Sequence, residues 1–115
     1  MVERSVKRGE IYWVEFSPSR GAEQAGHRPA LVVQNDVGNR YAPTTIVVAI
    51  TSQGADKEYP TDVRLPKRML PKPSKALCSQ VLTIGKERLG KRMVELDTET
   101  MKRVDQALKI SLSLK

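Results

Sequence analysis

The stretch Thr44-Thr45-Ile46-Val47-Val48-Ala49-Ile50-Thr51 constrains this chain more than any other. A near-continuous run of apolar and β-branched residues suits a strand buried on both faces. Its neighbours are shorter runs of the same kind. Residues 9–16 are rich in aromatic and β-branched side chains and stop at Ser17-Pro18. Residues 29–33 follow a polar loop at 21–26 and predict a second, short, buried strand. Residues 61–65 alternate as a partly exposed strand does, 76–84 return to strand character, and 93–96 form another short strand. Residues 35–39, Asn-Asp-Val-Gly-Asn, read as a turn or loop because Asn, Asp and Gly tolerate positive φ. Residues 53–58 read as a polar loop. Pro66, Pro71 and Pro73 break up a basic loop, since proline lacks the N–H that a ladder needs.

One helix closes the chain. Asp97 suits its N-cap, with Leu96 and Met101 spaced as a hydrophobic staple. Met101, Val104, Leu108 and Ser111, with Ala107 and Leu114 alongside, form its apolar face. Five or six short strands and a terminal helix, with no βαβ rhythm, indicate a small β-barrel or sandwich. The 115 residues suit a single domain, 1–115, and exclude a large enzyme with a separate cofactor domain.

Other classes fall away on equally simple grounds. No apolar run approaches the ~18 residues of a spanning helix. The start, MVERSVKRGE, lacks the apolar core of a signal peptide. A single cysteine, Cys78, makes no intrachain disulfide and suits a reducing cytoplasm. With one histidine beside it, a Cys/His zinc cage within the chain is excluded too. The expectation is a basic cytoplasmic domain with no metal and no cofactor.

The net charge of +7 is unevenly placed. Residues 64–92 hold nine Lys and Arg against Glu87 alone. Such a segment suits a polyanion, because phosphate neutralisation supplies most non-specific nucleic-acid affinity. An acidic protein partner, or solvent alone, suits the same face.

The densest polar cluster is Gly21-Ala22-Glu23-Gln24-Ala25-Gly26-His27-Arg28-Pro29, at the entry to a buried strand. Loops at a barrel's mouth commonly carry sites. His27 by itself reads as a surface or hydrogen-bonded histidine. Arg28 abuts Pro-Ala-Leu-Val-Val, and an arginine beside a core strand usually pairs with a carboxylate or binds an anion. Thr51-Ser52-Gln53 ends the long apolar strand. Hydroxyls there orient a substrate oxygen, or only satisfy backbone groups as the strand stops.

The ordered phrases RGEIYWVEFSP, EQAGHRP-ALVVQND, PTTIVVAITSQ, YPTDVRLP, SQVLTI and VDQALKISL resemble the MazF/PemK family of toxin endoribonucleases, over about residues 7–114. The resemblance implies a mainly β fold, a small SH3-like barrel of five to seven strands with a C-terminal α-helix, assembled as a homodimer. It implies a toxin of a toxin–antitoxin system that cuts single-stranded RNA, chiefly mRNA, at short sequences without a metal, halting translation and growth. A cognate MazE-like antitoxin with an acidic tail holds such toxins inactive. By the same resemblance Arg28 and Thr51 carry the reaction, while Glu23 and Gln80 lie near the bound RNA. Gln24, His27 and Ser52 join them as RNA-binding or assisting candidates. Residues 70–79 depart from many relatives, which have an acidic residue near the start of that strand where this chain has Pro73-Ser74-Lys75-Ala76. That bears on base preference more than on chemistry.

RNA supplies its own nucleophile. Attack of the 2′-OH on the adjacent phosphorus gives a 2′,3′-cyclic phosphate and a 5′-OH, leaving the protein to splay the backbone and stabilise a dianionic phosphorane. Two other classes stay open: a non-enzymatic toxin on the same barrel that grips a protein such as a DNA topoisomerase, and a plain nucleic-acid-binding module.

Overall fold

The computed structural model describes residues 5–16 and 26–115. Within them, six strands form one antiparallel sheet: β1 (Glu10–Phe16), β2 (Gly26–Val32), β3 (Thr44–Thr51), β4 (Asp62–Arg64), β5 (Lys75–Gly85) and β6 (Leu89–Glu95). Their order is β4-β5-β3-β2-β1-β6. Two α-helices accompany them, α1 (Asp36–Tyr41) and α2 (Thr98–Leu112), and a 3-10 turn at Lys86–Arg88 joins β5 to β6. Six strands and a C-terminal helix agree with the mainly β architecture expected.

The apolar run is β3, bounded as its composition dictates. It lies between β2 and β5 and pairs with both, and Val47, Val48, Ala49 and Ile50 are almost wholly buried. Period-2 alternation sends its side chains into two clusters. Val48 and Ile50 join Ile11, Leu31, Val63 and Ala76, covered by Val104 and Ala107 of α2. Val47 joins Tyr12, Val14, Phe16, Ala30 and Val32 on the other side. Each fully buried aliphatic side chain stabilises this arrangement by about 1.5–3 kcal/mol.

α2 starts where the capping chemistry says it should. The Asp97 carboxylate accepts from the Thr100 amide and hydroxyl, which holds its pKa below the ordinary carboxylate value. Leu96 and Met101 join the same apolar cluster. The buried face is Thr100, Val104 and Ala107, flanked by the partly buried Met101 and Leu108. Leu114 does not share it: the helix ends at Leu112 and Leu114 is exposed.

Two further expectations need correction. Residues 35–39 are not a loop, because Asp36–Tyr41 form α1. Asn35 caps it, its Oδ1 accepting from the Gly38 amide at 2.8 Å. Buried Asn39 anchors it, donating to the Gln34 carbonyl at 2.9 Å and accepting from the Thr45 hydroxyl at 2.7 Å. The short polar residues that signalled a turn are here a cap and a buried hydrogen-bond hub. The last strand is also longer than 93–96, beginning at Leu89. As an edge strand beside β1 it tolerates exposed Lys91 and Arg92, and this charge disguised it.

The β3–β5 and β1–β6 pairings contain irregularities. Ala49 pairs with Leu77 but Val48 with Val81, so Cys78, Ser79 and Gln80 bulge out of the β3–β5 ladder. Tyr12 pairs with Arg92 but Val14 with Leu89, so Trp13 faces two residues of β6, Gly90 and Lys91.

Candidate active site

Ile11 and Trp13 share a face of β1, two residues apart. At Ile11 that face is sealed into the core below α2, whereas Trp13 emerges 37% exposed. The apolar floor thus runs out from beneath the helix into an open cleft of about 280 Å³. Trp13 and Met93 line it from β1 and β6, and Ile50 from β3. Leu70, Pro71 and Lys72 of the proline-broken loop form the opposite rim.

The polar groups arrive from two strand ends. β2 brings His27 and Arg28 to the cleft, and the close of β3 brings Thr51 and Ser52. Arg28 and Thr51 thus share one cavity. The Thr51 hydroxyl oxygen accepts from the Gln53 amide at 3.1 Å, tying the start of the following loop to the strand. This is the backbone role foreseen for it, and it leaves the hydroxyl proton available to a second acceptor. Arg28 and Lys72 supply positive charge, and among the described residues no carboxylate lines the cleft. An apolar floor with cationic walls suits a phosphodiester flanked by bases.

The Trp13 and His27 rings meet edge to face, 5.8 Å between centroids and 86° between planes. The contact fixes both rings at the cleft's edge. Gly90 approaches from β6: a Cβ there would lie 3.1 Å from the Trp13 carbonyl oxygen and 3.5 Å from His27 Nε2. A side chain at this position would have to push the Trp13 backbone back by a few tenths of an ångström, so glycine lets the edge strand close on this pair unhindered.

Of the residues singled out from sequence, Arg28, Thr51, His27 and Ser52 come together here. Gln80 does not line the cleft; it is half-buried in the β5 bulge. Glu23 and Gln24 lie outside the described residues. Sequence reasoning missed Trp13, Met93, Leu70, Pro71 and Lys72. For Trp13 the available signal was parity: Tyr12, Val14 and Phe16 fill one core face, so a large aromatic between them, next to Glu15, belongs to the other. Among the described residues, no group of three or more His, Cys, Asp or Glu side chains is placed to hold a metal ion. None of the helices described is long and apolar enough to cross a membrane.

Residues 7–112 match the family model of the PemK-like, MazF-like toxins of type II toxin–antitoxin systems. The chain is 47% identical over 111 residues to Endoribonuclease EndoA of Bacillus subtilis (strain 168), spanning 95% of this chain and 96% of that protein. Among solved structures it is similar to an endoribonuclease in complex with its cognate antitoxin from a mycobacterial species. The TM-score is 0.82 at 25% identity, covering 96% of this chain and 97% of the other. It is equally similar to MazF from Deinococcus radiodurans, with TM-score 0.82, 25% identity and coverage of 96% and 98%.

Proposed function

Because the chain belongs to the PemK-like, MazF-like toxins of type II toxin–antitoxin systems, we propose that this cleft is where it cuts RNA. The protein is a toxin endoribonuclease of that family; the chemistry that follows is our reading. It cleaves single-stranded RNA, chiefly mRNA, at a short recognition sequence in the cytoplasm, and so stops translation and growth.

The observation that carries this reading is the convergence of Arg28 and Thr51, from two different strands, on one cleft that also holds Lys72. The substrate's 2′-OH attacks the adjacent phosphorus, the 5′-oxygen leaves, and the products are a 2′,3′-cyclic phosphate and a 5′-OH. No metal-activated water is needed, since the nucleophile is built into RNA. Arg28 stabilises the phosphorane, its fork matching two phosphate oxygens. Arginine stays charged at neutral pH and so is not the base. Thr51 orients the 2′-OH or a phosphate oxygen. His27 or Glu23 assists proton transfer or grips a base. Gln24 and Ser52 contact the strand nearby, and Gln80, set back from the cleft in the β5 bulge, meets RNA only beyond it.

The active form is a homodimer, and its partner is a cognate MazE-like antitoxin whose acidic tail the basic segment attracts. The relative solved with its cognate antitoxin supports the antitoxin partner. The two non-enzymatic readings do not account for 47% identity to an endoribonuclease.

The test is digestion of a long mixed-sequence RNA in excess EDTA by wild type and by Arg28→Ala, with the new ends mapped. Cuts recurring at one short motif with 5′-OH ends, lost in the variant, are expected. Intact RNA after treatment with folded, antitoxin-free wild type would refute the reading.

A further inference from the structure

Beyond the cleft, on the far side of the Trp13–His27 pair, lies a shallower depression of about 400 Å³ lined by Trp13, His27, Gly90 and Lys91. The two hollows share Trp13 and His27 as a common wall. We propose that this depression is a second nucleobase subsite, in which a base flanking the cut stacks on Trp13 while Lys91 meets its phosphate. The inference rests on the RNA-cleaving reading of the cleft.

Three features support it. First, Trp13 is left 37% exposed while the other aromatics of β1, Tyr12 and Phe16, are buried, and its edge-to-face contact with His27 holds the ring still. A fixed, exposed indole is the platform on which unstacked bases of single strands rest. Second, the bulge of β6 opposite Trp13 is built from Gly90 and Lys91. Bulges re-aim side chains beside sites. Here the glycine keeps the floor bare, where a Cβ would crowd the Trp13 carbonyl and His27, and the next residue brings a cation to the same hollow. Third, among the described residues neither lining includes an acidic side chain, so a strand passing over the shared wall meets none of them as it enters this hollow. A single-stranded RNA is favoured over a peptide by this pairing of a bare aromatic face with a phosphate-sized charge.

The chain has one tryptophan, so its fluorescence reports on Trp13 alone. The probe is an eight-nucleotide RNA carrying the recognised sequence, with a 2′-deoxy sugar at the cut to block cleavage. Binding is expected to quench the emission, and an abasic substitution at one flanking position to restore it. In cleavage assays, Trp13→Leu and Lys91→Glu are each expected to cut the advantage of the long substrate over a minimal dinucleotide about tenfold, the effect of losing one stacked base or one phosphate contact. Trp13→Phe is expected to recover most of it. If wild type cuts the long RNA but the advantage is the same in all three variants, the subsite is refuted and the nuclease stands. If wild type neither binds nor cuts RNA, both fall. Emission moved by an acidic peptide but not by the oligonucleotide also refutes the base subsite.

Discussion

Lys75 and Asp62 form an ion pair inside the protein, Nζ lying 2.8 Å from Oδ2 with the side chains only 7% and 5% exposed. The pair is well furnished with hydrogen bonds. Lys75 Nζ also donates to the Lys57 carbonyl at 2.8 Å, and Asp62 Oδ2 accepts from the Tyr59 amide at 3.1 Å. Lys75 is the cross-strand neighbour of Thr51 in β3. The ammonium therefore pins the start of β5 beside the residue assigned to orient the substrate. Lys75 is thus a structural residue at the start of β5.

Removing one partner leaves a buried charge without its counter-ion. Asp62→Ala is expected to cost about 3–5 kcal/mol in a urea titration. The double variant Asp62→Leu, Lys75→Met is expected to lose much less, because neither charge is then stranded. Equal losses in the two proteins would show that the cost is packing rather than electrostatics.

How far the sequence carried depends on the kind of signal. β3 was legible because a buried central strand must be apolar along its length, and α2 because Asp97 and the period of Met101, Val104 and Leu108 are local signals. The start of β6 was not: Gly90, Lys91 and Arg92 look like loop, and become strand only by pairing with β1. α1 was missed because Asn35 and Asn39 carry the same chemistry in caps as in turns. Arg28 and Thr51 could be singled out from the strand ends they occupy, helped by the family resemblance. Parity along β1 sets Trp13 on the face away from Tyr12, Val14 and Phe16, but Lys72 reaches the cleft only through tertiary folding, which no local pattern records.

Arg28 is assigned to charge stabilisation, which makes a sharp demand on its geometry. Arg28→Ala is expected to lower kcat at least about 100-fold, the scale of removing one preorganised donor from a developing anion. Because the side chain is exposed, the thermal midpoint is expected to hold. Arg28→Lys keeps the charge but not the fork and is expected to lose most of the activity as well. Full activity in the lysine variant would contradict a bidentate contact.

The Thr51 hydroxyl has two duties that substitution separates. Thr51→Ser keeps both the acceptor for the Gln53 amide and the donor toward substrate, and is expected to stay within about threefold of wild type, less than a tenfold hydrogen-bond loss. Thr51→Val keeps the shape alone and is expected to lose about tenfold or more in kcat, the scale of one hydrogen bond to a reacting oxygen. A valine variant with normal kcat would reduce Thr51 to its backbone role.

Cys78 is buried, and burial, with the Asp62 charge nearby, pushes its thiol up to about 11 from 9.0. The folded protein therefore holds the proton more tightly than the unfolded chain. Its contribution to stability is complete below pH 9 and is lost as pH rises from there toward 11. Cys78→Ala is expected to flatten that part of the stability curve in denaturant titrations. At pH 8 the native thiol is expected to resist a disulfide reagent that modifies it promptly in urea. Rapid modification of the native protein would contradict its burial.

Lys72 tests whether the proline-broken loop touches RNA or merely borders the cleft. A lysine that neutralises one phosphate of a single strand releases one counter-ion equivalent, so Lys72→Ala is expected to reduce the slope of log affinity against log salt by about 0.7. The uncleavable oligonucleotide is the ligand for the titration. Loss of affinity at every salt concentration with an unchanged slope would mean that Lys72 shapes the rim without meeting a phosphate. Placing the cation there by Pro71→Lys in the Lys72→Ala background separates position from charge. A restored slope would show that the loop need only bring one positive charge to this rim, whereas a slope that stays low would assign the contact to position 72 itself.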